Sequence, residues 1–118
     1  MDREDIAIHV SADGITDWQQ ALNNVSNLYG DESVPTPADR INVVVNGPGV
    51  RFLLRTSPEA ERVARLTEAG VRVKACGNSL SRFGHDESEL VAGIEVVPAA
   101  VAELVRLQQE SSSYLNLP

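Results

Sequence analysis

Val71-Arg72-Val73-Lys74-Ala75, running into Cys76-Gly77-Asn78-Ser79-Leu80, is the stretch on which the fold turns. Its first five residues read as a strand, and the next five as a turn that opens a helix. The arrangement sets the only cysteine of the chain at the C-terminal end of a strand. That is where α/β folds gather their chemistry. The N–H groups of a following helix would favour a thiolate there. A free cysteine is also among the residues most often buried as a small hydrophobe, so two readings of Cys76 stand at this point.

The same alternation extends towards the N-terminus. Ser57-Pro58-Glu59 has the form of a helix start, with Ser as N-cap and Pro in the first turn. The helix carries Ala60, Val63, Ala64 and Leu66, and Gly70 stops it. Before it, Ile41-Asn42-Val43-Val44-Val45 is a nearly unbroken apolar run, as expected of a strand covered on both faces. That run ends in Asn46-Gly47-Pro48-Gly49, and apolar positions 50, 53 and 54 predict a short helix. Asp31 to Asp39, with Pro35 and Pro37, reads as a surface loop. Ile6 to Val10 is a first strand closed by Ser11-Ala12-Asp13-Gly14. Thr16 and Gln19 have capping-box spacing ahead of a stripe of Trp18, Ala21, Leu22, Val25, Leu28 and Tyr29, and Gly30 is its stop.

Towards the C-terminus, Asn78 to Phe83 suggests a helical turn, and Asp86 a cap for another at Glu87 to Val91. Gly93 to Val97 is a fourth strand. Pro98 opens a last helix with Val101, Leu104, Val105 and Gln108 on the face expected to pack. Ser111-Ser112-Ser113 breaks that helix, and Tyr114-Leu115-Asn116 is expected as a fifth, edge strand. The pattern predicts an α/β protein, a three-layer α/β/α arrangement around a mostly parallel five-stranded sheet, in one domain over residues 1–118.

Composition narrows the function classes. A formal net charge of -7 makes nucleic acid an unfavourable partner. Nine of the ten cationic residues are Arg, with Lys74 the single Lys. Acidic excess of this kind suits a saline interior, where carboxylates keep the surface solvated, and it also fits a compositional bias. No apolar run approaches the roughly 18 residues of a membrane span. The charged start Met1-Asp2-Arg3-Glu4-Asp5 has no apolar signal region, and one cysteine forms no internal disulfide; both lead to an expected cytoplasmic location without membrane association.

In a parallel sheet the strand C-termini open on one edge. The turns gathered there would be Ser11-Ala12-Asp13-Gly14, Asn46-Gly47-Pro48-Gly49 and Cys76-Gly77-Asn78-Ser79. Gly beside small polar residues exposes backbone N–H groups to a ligand. Cys76 is therefore the candidate catalytic residue, with Asn46, Gly47, Gly49, Gly77, Asn78 and Ser79 as candidate ligand-binding positions. Neither GxxxxGK[ST] nor GxGxxG occurs, and one Cys with two distant His gives no zinc spacing, so no cofactor and no metal are expected. His9 reads as a core or near-edge strand residue. His85 reads as a loop residue that doubles as a candidate partner for the thiol. Arg51 and Arg55 suit either surface ion pairs or an anionic ligand.

At Cys76-Gly77-Asn78-Ser79-Leu80 the chain resembles the DsrE/DsrF-like family of small intracellular sulfur-metabolism proteins. The likeness includes Val45-Asn46-Gly47-Pro48-Gly49-Val50, the run from Ala69 through Leu80, and Val96 through Gln108. The resemblance implies a five-stranded parallel sheet of order 4-3-2-1-5 and assembly as trimers or hexamers. It also implies sulfur carried as a persulfide on the cysteine matched by Cys76, and a donor or acceptor protein as partner. Relatives often have His at the position of Asn46 and a Gly-Tyr-Ala-Tyr-like end where this chain has Ser112-Ser113-Tyr114-Leu115. The function expected is that of a sulfur carrier or sulfurtransferase using Cys76. The alternative is a non-catalytic oligomeric binding or assembly protein in which Cys76 is structural.

Overall fold

The computed structural model describes residues 5–110 and 112–117. The charged start at residues 1–4 and Ser111 of the serine run lie outside the described residues.

Five strands form the sheet: β1 (Ile6–Val10), β2 (Ile41–Val45), β3 (Arg72–Cys76), β4 (Glu95–Val97) and β5 (Ser113–Leu117). Their order is β4-β3-β2-β1-β5, and every pairing is parallel. Both the five-stranded sheet and the order that the family resemblance implied are therefore present. The central strand β2 is buried at all five positions, which is why its sequence shows no alternation.

Alternation of side chains along the strands divides the interior in two. Ile8, Val10, Val43, Val45, Val73 and Ala75 face the larger core, packed with residues of α1 (Ile15–Gly30) and α2 (Ala60–Glu68). Ala7, Val44 and Cys76 face the other way and meet Ala100, Leu104 and Leu107 of α4 (Ala100–Gln109). A short α3 (Gly77–Arg82) follows β3 directly and sends Leu80 into the larger core.

Local capping differs from the sequence pattern at two places and follows it at a third. The Thr16–Gln19 box does not form; α1 begins at Ile15 with Gly14 as N-cap and no side-chain cap. The extended backbone of Gly14 leaves Thr16 already inside the helix, too late to cap it. Ser57 acts one turn before α2: its hydroxyl accepts the Glu59 N–H at 3.1 Å, and the helix starts at Ala60. At the end of α2, Gly70 takes φ +103°, and the Val71 N–H bonds back to Leu66 O at 3.0 Å, the reversal expected of that glycine.

The packed face of α4 is also corrected. Ala100, Glu103, Leu104 and Leu107 are buried, whereas Val101 is 63% and Val105 54% exposed. A buried glutamate shifted the face by one position, because it has a partner beneath it. Lys74, 1% exposed on β3, gives its ammonium to the Glu103 carboxylate. Arg106 closes the other side of Glu103 with contacts at 3.0 and 2.5 Å. Two buried charges are tolerable only when so matched.

Candidate functional site

At the C-terminal edge of the sheet the turns after β1, β2, β3 and β4 interlock through backbone contacts. The Gly49 position is a close approach: a Cβ there would lie 2.1 Å from the Ala12 carbonyl oxygen. The same carbonyl accepts the Trp18 indole N–H at 2.7 Å, and Trp18 stacks on Phe52 at 5.1 Å between centroids. Gly49 and Trp18 thus pin the first two turns together. Gly47 takes φ +74°, a conformation that favours glycine, and its N–H donates to Ser79 Oγ at 2.9 Å. The third turn joins the fourth where the Asn78 N–H donates to Pro98 O at 3.2 Å.

Cys76 lies where these turns converge. It is 5% exposed, so the accessible thiol that a strand-end position suggests is instead covered by the start of α4. The N–H of Ala100, the first residue of α4, donates to Cys76 Sγ at 3.4 Å. Burial pushes the thiol pKa up, but the Ser79 hydroxyl and the N–H groups of Ala100, Ser79 and Asn78 favour the thiolate more strongly. The net displacement is downward from the usual thiol value. Two elements thus frame the sulfur: β3 carries it at the start of α3, and the first N–H of α4 donates to it.

The other candidates separate into two groups. Gly47 and Ser79 are joined to each other and Asn78 to Pro98 in the turns beside Cys76, and a Cβ at Gly77 would lie 3.1 Å from Val97 O, tight against β4. Gly49 is a packing position beneath Ala12. Asn46 extends β2 one step beyond the paired Val45 and Ala75, level with Cys76 on the same face. Its Oδ1 is engaged by His9 Nε2 at 2.8 Å, and His9 Nδ1 meets the Tyr114 hydroxyl at 3.0 Å. His85 lines a shallow pocket of about 310 Å³ with Gly77, Asn78, Ser81 and Pro98. No hydrogen bond joins its ring to Cys76 among the described residues. Arg51 pairs with Asp13 at 2.7 Å, and Arg55 donates to Ser88 O.

Sequence reasoning did not find Ala100, because a backbone donor carries no residue signature, nor the links from His9 to Asn46 and Tyr114, which come from strands adjacent only in space. A concavity of about 940 Å³ lies at the opposite edge between Tyr29, the Asp31–Asp39 loop and Gly70, and holds none of the predicted site residues. Among the described residues no group of three or more His, Cys, Asp or Glu is placed to hold a metal ion. No described helix is long and apolar enough to cross a membrane.

Fold and edge together define a class of α/β/α proteins with a thiol at the end of the third strand that meets the first N–H of the last helix. The DsrE/DsrF-like family profile matches residues 21–117, and the chain belongs to that family. It is 32% identical to MTH1491, a protein of unknown function from Methanobacterium thermoautotrophicum, with a TM-score of 0.88 over 97% of this chain and 99% of that one. The fold is shared with the ychN protein of E. coli (18% identity, TM-score 0.82, 98% and 100% covered). It is also shared with BT1422, a conserved protein of unknown function from Bacteroides thetaiotaomicron (15%, 0.65, 94% of each). No curated protein sequence matches the chain.

Proposed function

We propose that the protein is a sulfur carrier that bears a persulfide on Cys76. The observation that carries the reading is the Ala100 N–H aimed at the Cys76 sulfur from 3.4 Å, at a thiol whose pKa is displaced downward. The Cys76 thiolate attacks the outer sulfur of a donor persulfide. An S–S bond forms at Cys76 as the donor S–S bond breaks, and the donor departs as its thiolate. An acceptor thiolate then attacks the outer sulfur and releases Cys76 unchanged. Family membership supports this chemistry, and the donors around Cys76 suit an anionic sulfur. With one cysteine in the chain, the acceptor thiol belongs to another molecule.

The 5% exposure of Cys76 favours a second reading, a binding or assembly protein in which the thiol packs beneath α4. Intact-mass measurement after incubation with a low-molecular-weight persulfide separates the two. One added sulfur, lost in Cys76→Ser, supports the carrier. No uptake by the folded protein, with alkylation only on unfolding, supports the packed thiol.

A homo-oligomer, a trimer or hexamer, is part of the same proposal. The exposed Val101 and Val105 of α4, with Tyr114 at 42% exposure on β5, leave apolar surface of the kind subunits cover.

A further inference from the structure

We infer that His9 and Tyr114, neither of which touches the sulfur, are positioning residues for Cys76: they fix Asn46 and the Gly47 peptide, whose N–H holds the Ser79 hydroxyl three residues beyond the thiol. The inference deepens the proposed function and rests on Cys76 as the working thiol.

His9 sits on the α4 face of β1, half-buried between two polar neighbours from adjacent strands. Neutral imidazole offers one donor and one acceptor. Asn46 Oδ1 accepts only, so Nε2 carries the proton, and Nδ1 accepts from the Tyr114 hydroxyl. A single tautomer satisfies both contacts, at 2.8 and 3.0 Å. With its side chain held, Asn46 stays extended at φ −137°, ψ 174°, and the chain turns at Gly47.

That turn aims the Gly47 N–H at Ser79 Oγ. The bond fixes the Ser79 hydroxyl beside the thiol, and of the groups that favour the thiolate the Ser79 hydroxyl has the largest effect. If His9 is removed, Asn46 loses its anchor, the Gly47 N–H drifts and the Ser79 hydroxyl is released to rotate. The charged groups on this face, Lys74 of β3 with Glu103 and Arg106 of α4, keep their mutual pairing in such a variant.

Iodoacetamide alkylation of Cys76 as a function of pH tests this in the wild type, His9→Gln and His9→Ala. His9→Ala is expected to raise the midpoint and slow alkylation at neutral pH several-fold, with melting still cooperative. His9→Gln, whose amide can donate to Asn46 Oδ1, is expected to recover part of the shift. A folded His9→Ala variant with the wild-type midpoint overturns the inference. If His9→Ala does not fold, Asn46→Ala decides on the same terms: a raised midpoint supports the inference and an unchanged one overturns it. Sulfur uptake by the wild type tests the carrier reading separately, so either idea can fail while the other stands.

Discussion

The N–H of Ala100 points at Cys76 Sγ from 3.4 Å, joining residues 24 apart in the chain. The contact exists because β4 lies beside β3 and α4 turns back across the sheet from the end of β4. A helix start has N–H groups without partners inside the helix, and here the first of them finds a sulfur. The same geometry that favours a thiolate also hides it, so the sulfur exchange proposed for Cys76 would require the start of α4 to yield.

Ser79→Ala removes the hydroxyl beside the thiol and leaves the Ala100 N–H in place. Cys76 alkylation at neutral pH is expected to slow several-fold, with its midpoint moved up, since a hydrogen bond to an ionised group is stronger than a neutral one. An unchanged rate profile would show that the Ala100 N–H suffices.

The buried pair on the α4 face should respond unequally to its two halves. Glu103→Gln leaves the Lys74 ammonium buried without a counter-charge and is expected to cost about 3 kcal/mol in urea unfolding. Lys74→Met should cost less, because Arg106 still neutralises Glu103. Equal losses would argue against this division.

Acid should loosen the same contact. The Arg106 guanidinium, ahead of an opposing effect of burial and helped by Lys74, lowers the Glu103 pKa from 4.5 to about 2. The folded value lies below the unfolded one. The resulting stability is therefore present above about pH 4.5 and is lost as the pH falls through 2. Chemical denaturation across that range should show a slope that Glu103→Gln removes.

Gly49→Ala tests the interlock of the first two turns. A Cβ meeting the Ala12 carbonyl at 2.1 Å requires the backbone to move, and a loss of roughly 1–3 kcal/mol is expected, as for overpacking in a core. A wild-type melting temperature would mean that the β1 turn adjusts freely.

Light scattering coupled to gel filtration should find a trimer or hexamer, reduced by Val105→Glu. A monomer at both low and high salt would remove the oligomer from the proposal. The acidic surface, at net charge -7, should also make melting temperature rise from dilute buffer to molar salt as repulsion is screened.

The residues of β1 and β2 determined those strands by themselves, because apolar β-branched runs bounded by Gly and Pro have no competing local structure. Gly70 likewise specified its own reversal through a backbone conformation that suits glycine. Cys76 at the end of β3, with Gly77 and Ser79 after it, was legible on the same local grounds. The tertiary structure alone decided which face of α4 packs, since Glu103 is buried only because Lys74 waits beneath it on a distant strand. It alone decided that the thiol is covered, and that His9 stands between Asn46 and Tyr114. Periodicity reports what a segment does with its own neighbours, whereas these contacts join β1 to β5 and β3 to α4, whose nearness arises only when the parallel sheet closes.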